Sequence, residues 1–248
     1  MRKVYIQREN GSSRIFSENC FSAALGFSQM GHHVIEAHAG PQLYIDLCED
    51  ENAMFVGGIN AVKSAFRAIA IEAPEIDNPH IHLPQYLGRE VVETTMSEVE
   101  QMADNGDFPF FIKPLDEQKL FTGYVVKCKP DLLQAKLRTK PETKILMSEC
   151  VDFISEYRCF VHNKKLVGCK NYTGSFRVLP DFDIVENAIK DYQAQPIAYS
   201  IDFGITSDGR TLLIEMNDAF GLSSYGLNKI TYCKMLEDRW DEIVKNKK

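Results

Sequence analysis

The arrangement of apolar and polar residues predicts alternating strands and helices in the early part of the chain. Short β-branched and aromatic runs at 3–7, 33–37 and 53–56 are typical of strands. Apolar residues recur at helical spacing between 17 and 30, and again between 62 and 70. Because strands separated by helices pair in parallel, we predict a small parallel α/β lobe here.

The pattern changes after a proline-interrupted stretch at 71–90, which we predict to be a linker. A short helix is predicted to begin at Thr95 or Ser97 and to end near Ala103. Beyond it, strands are predicted at 108–114, 121–127 and 144–151, a hairpin joins 154–161 to 165–171, and helices cover 130–138, 183–192 and 227–245. This mixture of hairpins and helices predicts an α+β region after the first lobe.

A second predicted hairpin, at 197–216, carries the strongest chemical signal in the chain. Its strands flank the turn residues Ser207-Asp208-Gly209. Glu215 and Asn217 are two residues apart on one strand and therefore share a face, and Asp202 on the paired strand can reach the same point. Two carboxylates and an amide oxygen suit Mg²⁺, which prefers oxygen ligands. The alternative is an acidic hairpin end with solvated charges.

Three cations lie at the ends or on the faces of predicted strands. Lys113 ends an apolar strand, where a lysine can also simply extend to solvent. Arg158 and Lys170 lie on the two arms of one hairpin among apolar neighbours, and a cation there must pair or meet an anion. Glu156, two residues before Arg158, is one structural partner that the sequence offers.

A crossover between two predicted strands offers backbone groups that can bind the edge of an adenine. It runs from Glu149 through Cys150 and Val151 to Glu156, which lies seven residues after Glu149 and can hold ribose hydroxyls. Taken in isolation, both glutamates are better explained as surface carboxylates.

The composition excludes some partners. A net charge of −7 and a pI near 5.4 argue against a broad nucleic-acid interface, which needs a basic face. The seven cysteines form no C-x-x-C pair, and several lie in apolar strands, as reduced thiols do. Because the chain enters a strand directly, with no signal-peptide pattern and no apolar run long enough for a membrane span, we expect a cytoplasmic protein without a membrane partner.

Taken in order, these residues resemble the ATP-grasp superfamily. The order is Lys113, a short loop from Lys119, the Glu149 segment with Glu156, Lys170, and then Asp202 with Glu215-Met-Asn217. The separation of 13 residues between Asp202 and Glu215 is the same as in the D-alanine–D-alanine ligase branch of the superfamily. The segment at 217–225 is similar to the loop that binds the substrate carboxylate in that branch. The set of Arg158, Lys113 and Lys170 is similar to the residues that mark one clade of this superfamily, which is described by one arginine and two lysines. The resemblance covers about residues 108–235.

The resemblance implies an ATP-grasp fold that combines α/β and α+β parts. It implies an N-terminal α/β lobe at 1–90, a lid subdomain at 91–148 and a C-terminal subdomain with the metal hairpin at 149–248. It also implies a nucleotide held between two lobes. By position, Lys113 and Lys170 would contact ATP phosphates, Glu149, Cys150 and Val151 the adenine, and Glu156 the ribose, while Asp202, Glu215 and Asn217 would hold Mg²⁺.

The implied activity is that of an ATP-dependent carboxylate–amine ligase. ATP would convert a carboxylate into an acyl phosphate, which an amine then attacks with release of ADP and phosphate. The acceptor amine can belong to a small molecule, a peptide or a protein. The D-alanine–D-alanine ligase branch has an arginine two residues before its first metal-binding carboxylate, whereas this chain has Ser200 at that position. Arg158 or Arg177 would then supply the missing positive charge. The alternatives are a phosphotransferase on the same fold and a non-catalytic nucleotide-binding module.

Overall fold

A computed structural model describes residues 1–74, 79–115 and 120–245 of the 248-residue chain. The strands are β1 Lys3–Gln7, β2 His33–Ala37, β3 Met54–Val56, β4 Val91–Thr95, β5 Phe110–Pro114, β6 Tyr124–Val126, β7 Lys144–Ser148, β8 Phe153–His162, β9 Lys165–Gly174, β10 Ala198–Thr206 and β11 Thr211–Asp218. The helices are α1 Glu18–Gln29, α2 Pro41–Glu49, α3 Ile59–Ala68, α4 Pro79–His82, α5 Met96–Asn105, α6 Leu133–Lys136, α7 Phe182–Asp191 and α8 Lys229–Lys245, with 3₁₀ turns at Pro84–Tyr86, Lys129–Leu132 and Ala219–Gly221.

The chain folds into two compact units. Unit 1 contains Met1–Tyr86 together with Ile154–Lys248, and unit 2 contains Leu87–Phe153. The early and late parts of the chain therefore belong to the same unit. None of the helices in the described ranges is long and apolar enough to cross a membrane.

Unit 1 contains a parallel sheet and an antiparallel sheet. In the first, β2 and β3 both pair in parallel with β1, which confirms the predicted α/β lobe. The second has the strand order β11-β10-β8-β9 and contains both predicted hairpins. Helix α2 was not predicted: its N-cap, Gly40, makes no side-chain hydrogen bond, and the proline in its first turn, Pro41, is a start signal that was not used.

Unit 2 is a four-stranded antiparallel sheet with the order β4-β7-β5-β6. Its core includes Val99, Phe110 and Ile112. Helix α5 begins with a capping box, in which the Thr95 hydroxyl accepts a hydrogen bond from the Glu98 N–H and the Glu98 carboxylate accepts one from the Thr95 N–H. Strand β4 was not predicted, because it runs into this cap without a turn residue between strand and helix.

Two predicted segments differ from the structure. The predicted linker at 71–90 contains α4 and a 3₁₀ turn, and its residues 75–78 lie outside the described residues. The predicted helix at 130–138 is divided between a 3₁₀ turn and α6. In the predicted short loop after Lys113, residues 116–119, including Lys119, also lie outside the described part of the chain.

The core of unit 1 joins its early and late elements. The ring of Phe66 on α3 stacks on Trp240 of α8 at a centroid distance of 4.6 Å and meets Phe220 edge to face at 5.6 Å. Helix α1 crosses α8 closely at Gly26, where an added Cβ atom would lie 2.4 Å from Cys233 Sγ and 2.7 Å from the Lys229 carbonyl oxygen. The first lobe therefore packs as part of a larger core.

We expect Gly26→Ala to lower the free energy of unfolding by about 1–3 kcal/mol, because the methyl group forces α1 and α8 apart. The helix propensity of alanine recovers up to about 1 kcal/mol of that loss. Urea unfolding measures the change. Ser28→Ala, on the exposed face of the same helix, is the matched control and should shift stability by less than about 0.5 kcal/mol. Equal stability of the two variants would contradict the close crossing.

Candidate functional site

The β10–β11 hairpin places two carboxylates and an amide next to one another. Asp202 lies directly opposite Glu215 in the strand register, and Ser200 lies opposite Asn217. Ile214 is the extra residue of a β-bulge beside Glu215, a feature that re-aims neighbouring side chains and is common near active sites. The structure thus brings together the three predicted metal ligands in unit 1.

Arg158, on the neighbouring strand β8, joins this cluster. Its Nε donates to Asp202 Oδ1 at 2.9 Å and its Nη2 donates to Asp202 Oδ2 at 2.6 Å. The same Nη2 lies 3.7 Å from Glu215 Oε1, which accepts a hydrogen bond of 3.0 Å from Asn217 Nδ2. Four side chains from three adjacent strands therefore form two hydrogen-bonded pairs, Arg158 with Asp202 and Asn217 with Glu215, which the ion pair of Arg158 and Glu215 joins.

The two carboxylates have different environments. Asp202 is fully buried, whereas the Glu215 side chain is 40% exposed. Burial raises the pKa of Asp202 to about 6, although the hydrogen bonds and charge of Arg158 act in the opposite direction. For Arg158, burial is the largest single effect and lowers the pKa, but the hydrogen bonds and charge of Asp202, together with the nearby Tyr225 and Glu215, raise it overall. Both groups are therefore charged at neutral pH, and Glu215 offers the accessible carboxylate.

The cluster contains oxygen donors of the types that bind a hard divalent cation. Among the described residues, no group of three or more His, Cys, Asp or Glu side chains could hold a metal ion. The set here is two carboxylates and one amide, and oxygen donors of these types are those that Mg²⁺ takes while it keeps waters and phosphate ligands. Ser200, two residues before Asp202 on β10, is buried on the same face, and its hydroxyl acts to lower the pKa of Asp202.

Lys170 lies opposite Arg158 in the β8–β9 register. It is half-buried and makes no hydrogen bond or ion pair with a described residue. A half-buried ammonium group without a protein partner is suited to binding an anion.

Glu156 does not pair with Arg158. Its Oε2 instead accepts a hydrogen bond of 2.7 Å from the Tyr172 hydroxyl. The structural pairing that the sequence offered for Arg158 is therefore wrong, because Asp202 on the adjacent strand takes that place.

Arg177, the other arginine considered for the missing charge, is exposed. Its guanidinium lies 5.8 Å from the ring centroid of Phe176 in the segment after β9. The structure brings Arg158 to the carboxylates and gives Arg177 no contact with Asp202, Glu215 or Asn217.

The remaining predicted site residues lie in unit 2. Lys113 is half-buried on β5, opposite Leu146 of β7. Glu149 follows β7, and its Oε2 accepts a hydrogen bond of 2.9 Å from the Glu90 N–H. Cys150 and Val151 continue the chain as half-buried, irregular backbone, and burial raises the pKa of the Cys150 thiol. The predicted roles of these residues toward ATP stay predictions.

Two tyrosines that the sequence analysis did not select lie beside Arg158. Its Cζ is 5.0 Å from the ring centroid of Tyr225 and 6.0 Å from that of Tyr172. Around Tyr225 the sequence indicates only a turn, because Gly226 follows the tyrosine and two serines precede it. Nothing local to either tyrosine indicates which arginine it meets.

Comparison with known protein families gives one match. A family model described as "ATP-grasp domain, R2K clade family 2" matches residues 86–235. A search of curated protein sequences found no match.

Several solved structures are similar to this chain. D-alanine–D-alanine ligase from Bacillus anthracis complexed with ATP has a TM-score of 0.58 and 14% identity, with 98% of this chain and 97% of that chain covered. D-cycloserine synthetase has a TM-score of 0.65 and 11% identity, with 96% and 99% covered. N5-carboxyaminoimidazole synthetase from Staphylococcus aureus has a TM-score of 0.60 and 9% identity, with 96% and 77% covered. At such identities the likeness concerns the fold.

Proposed function

The chain belongs to the ATP-grasp superfamily, and from that premise we propose that it is an ATP-dependent carboxylate–amine ligase. It uses ATP to convert a substrate carboxylate into an acyl phosphate. An amine then attacks the acyl carbon, an amide bond forms, and phosphate leaves. ADP and phosphate are the by-products.

The observation that carries the proposal is the cluster around Asp202. Family membership alone allows several reactions, whereas this cluster gathers the charges that phosphoryl transfer requires. Asp202, Glu215 and Asn217 offer oxygen donors, and Arg158 is held against them by two hydrogen bonds of 2.9 and 2.6 Å. Phosphoryl transfer depends mainly on positioned charge and little on covalent chemistry by the protein.

Each residue of the cluster has a separate task. Asp202, Glu215 and Asn217 would hold Mg²⁺, which neutralises phosphate charge when it is bound. Arg158 provides a fixed positive charge for the phosphoryl oxygens as charge develops on them. Lys170, which has no protein partner among the described residues, contacts a phosphate of ATP.

Contacts with the rest of the nucleotide extend the proposal. In unit 2, Lys113 is assigned to a phosphate and Glu149, Cys150 and Val151 to the adenine. In unit 1, Glu156 is assigned to the ribose, with Tyr172 holding one of its carboxylate oxygens at 2.7 Å. The division into 1–90, 91–148 and 149–248 is part of the same proposal.

We also propose a cytoplasmic location and substrates that include a carboxylate and an amine, the latter on a small molecule, a peptide or a protein. The location is supported by the seven cysteines, all of which are free thiols. The acidic charge of −7 supports the absence of a nucleic-acid partner.

The test is a screen of carboxylic acids and amines in pairs with Mg²⁺ and ATP. We expect ADP and phosphate to form only when both substrates are present. With the acid alone and hydroxylamine, the acyl phosphate should be trapped as a hydroxamate. Formation of AMP and pyrophosphate would show adenylation and contradict the proposal. A stable phosphorylated product would indicate a phosphotransferase, and ATP binding without turnover for any pair would indicate a binding module.

A further inference from the structure

An aromatic pair lies beside the Arg158 guanidinium. The rings of Tyr172 and Tyr225 stack with centroids 5.3 Å apart and an angle of 18° between their planes. Arg158 Cζ lies 5.0 Å from the Tyr225 centroid. The guanidinium is therefore bound by the Asp202 carboxylate and lies over the Tyr225 ring, as in a cation–π contact.

Each tyrosine sits on an irregular piece of backbone. Tyr225 has a φ of 42°, in the left-handed region that a tyrosine rarely adopts, and Gly226 follows with a φ of 75°. Tyr172 is the extra residue of a β-bulge, since Glu156 pairs with Thr173 and Tyr157 pairs with Asn171. Two separate departures from regular backbone thus direct two rings toward one arginine. Strained backbone persists where the surrounding structure over-determines it, and it clusters at functional sites.

Hydrogen bonds hold both irregular segments in place. Asn171 Nδ2 donates to the Glu156 carbonyl at 3.0 Å and to the Thr173 carbonyl at 2.8 Å, which fixes the bulge. In the loop before Tyr225, the Ser224 N–H donates to Asn19 Oδ1 at 2.9 Å, and Asn19 Nδ2 donates to Ser223 Oγ at 3.2 Å. The loop is therefore anchored on helix α1 of the same unit.

We propose that Tyr225, supported by Tyr172, is a positioning residue that fixes the plane of the Arg158 guanidinium. The catalytic consequence of this inference rests on the proposed function. The positioning of Arg158 does not, because it is a property of the protein without substrates. Asp202 binds two nitrogens of the guanidinium, and among the described residues Nη1 has no hydrogen-bond partner. The ring, which lies 5.0 Å from Cζ, restricts movement of the guanidinium. A charge held in this way needs no reorganisation when phosphoryl charge develops.

The first experiment reads the position of Arg158 without activity. In protein labelled with [15N]arginine, the Nε–H signal of Arg158 is assigned by its loss in Arg158→Lys. We expect a signal that exchanges slowly with water, because the proton is donated to Asp202 Oδ1 at 2.9 Å, and that carries a ring-current shift from Tyr225. Tyr225→Ala should change the chemical shift and speed the exchange, whereas Tyr225→Phe should leave both unchanged. An unchanged signal in Tyr225→Ala overturns the proposal whether or not the protein is a ligase.

The second experiment measures the catalytic consequence with the substrate pair found in the screen. We expect Tyr225→Ala to lower kcat by about tenfold and to change KM for ATP by less than about twofold. Tyr225→Phe should retain kcat, since the ring and not the hydroxyl acts on Arg158. Phe21→Ala is the matched control and should retain kcat. It also removes a half-exposed ring, since Phe21 is 52% exposed and Tyr225 is 45% exposed. Loss of kcat in Tyr225→Phe, or full activity in Tyr225→Ala, overturns the proposal.

Discussion

Replacing Glu215 by glutamine is expected to lower ADP formation by at least about a hundredfold. Glutamine has the volume of glutamate but lacks the charge, so the variant removes an accessible carboxylate from the Asp202 cluster without opening a cavity. Glu215 is the member of that cluster whose side chain is 40% exposed, and it is therefore the carboxylate best placed to meet Mg²⁺ and phosphate. Steady-state ADP release, with the substrate pair found in the screen, measures the effect.

The fold should survive this substitution. In the described part of the chain, Glu215 accepts a hydrogen bond from Asn217 Nδ2 at 3.0 Å and lies 3.7 Å from Arg158 Nη2, and a glutamine oxygen can still accept the hydrogen bond. We expect the free energy of unfolding to change by less than about 1 kcal/mol. Glu186→Gln, an exposed carboxylate on α7, is the matched control and should retain activity. Full activity of Glu215→Gln would contradict the metal assignment, and an unfolded variant would make the residue structural.

The buried pair of Asp202 and Arg158 should show the second large effect, on stability. Removing one partner leaves a charge without compensation in the interior, which typically costs 3–5 kcal/mol. We therefore expect Asp202→Asn and Arg158→Met each to lower the free energy of unfolding by about 3 kcal/mol. The double variant should lose at least about 1 kcal/mol less than the sum of the two, because each single variant has already lost the shared interaction. Urea unfolding of the four proteins measures this coupling.

Unit 1 contains a second buried pair that supplies the control. Arg239 donates to Asp218 Oδ1 at 2.9 Å and to Oδ2 at 2.6 Å, with both residues about as buried as Arg158. No hydrogen bond or ion pair joins Asp202 to Arg239 in the described part of the chain. Asp202→Asn combined with Arg239→Met should therefore be additive to within about 0.5 kcal/mol. If both double variants deviate equally from the sum of their single variants, the substitutions cause a general loss of cooperativity. If the effects at positions 158 and 202 are additive, the result contradicts the observed pair.

Much of the fold could be predicted from local patterns. The β10–β11 hairpin was predicted because apolar runs flank a turn, and its register then brings Glu215 opposite Asp202. The parallel lobe and the ATP-grasp fold class are likewise confirmed. Strand β4 was missed because it has no turn residue before α5, and helix α2 was missed because its start is marked by Pro41 and not by a capping side chain.

The sequence by itself determined the residue types and spacing of the Asp202, Glu215 and Asn217 set, since period-two alternation and a turn signal act within a short segment. Only the tertiary structure decided that Arg158 binds Asp202 and that Tyr225 lies on its guanidinium. It also decided that the first lobe and α8 share a core through Phe66 and Trp240. These contacts follow from the strand order β11-β10-β8-β9 and from burial of one continuous core. Burial acts on apolar area without regard to sequence separation, so no local pattern reports which distant residues it brings together.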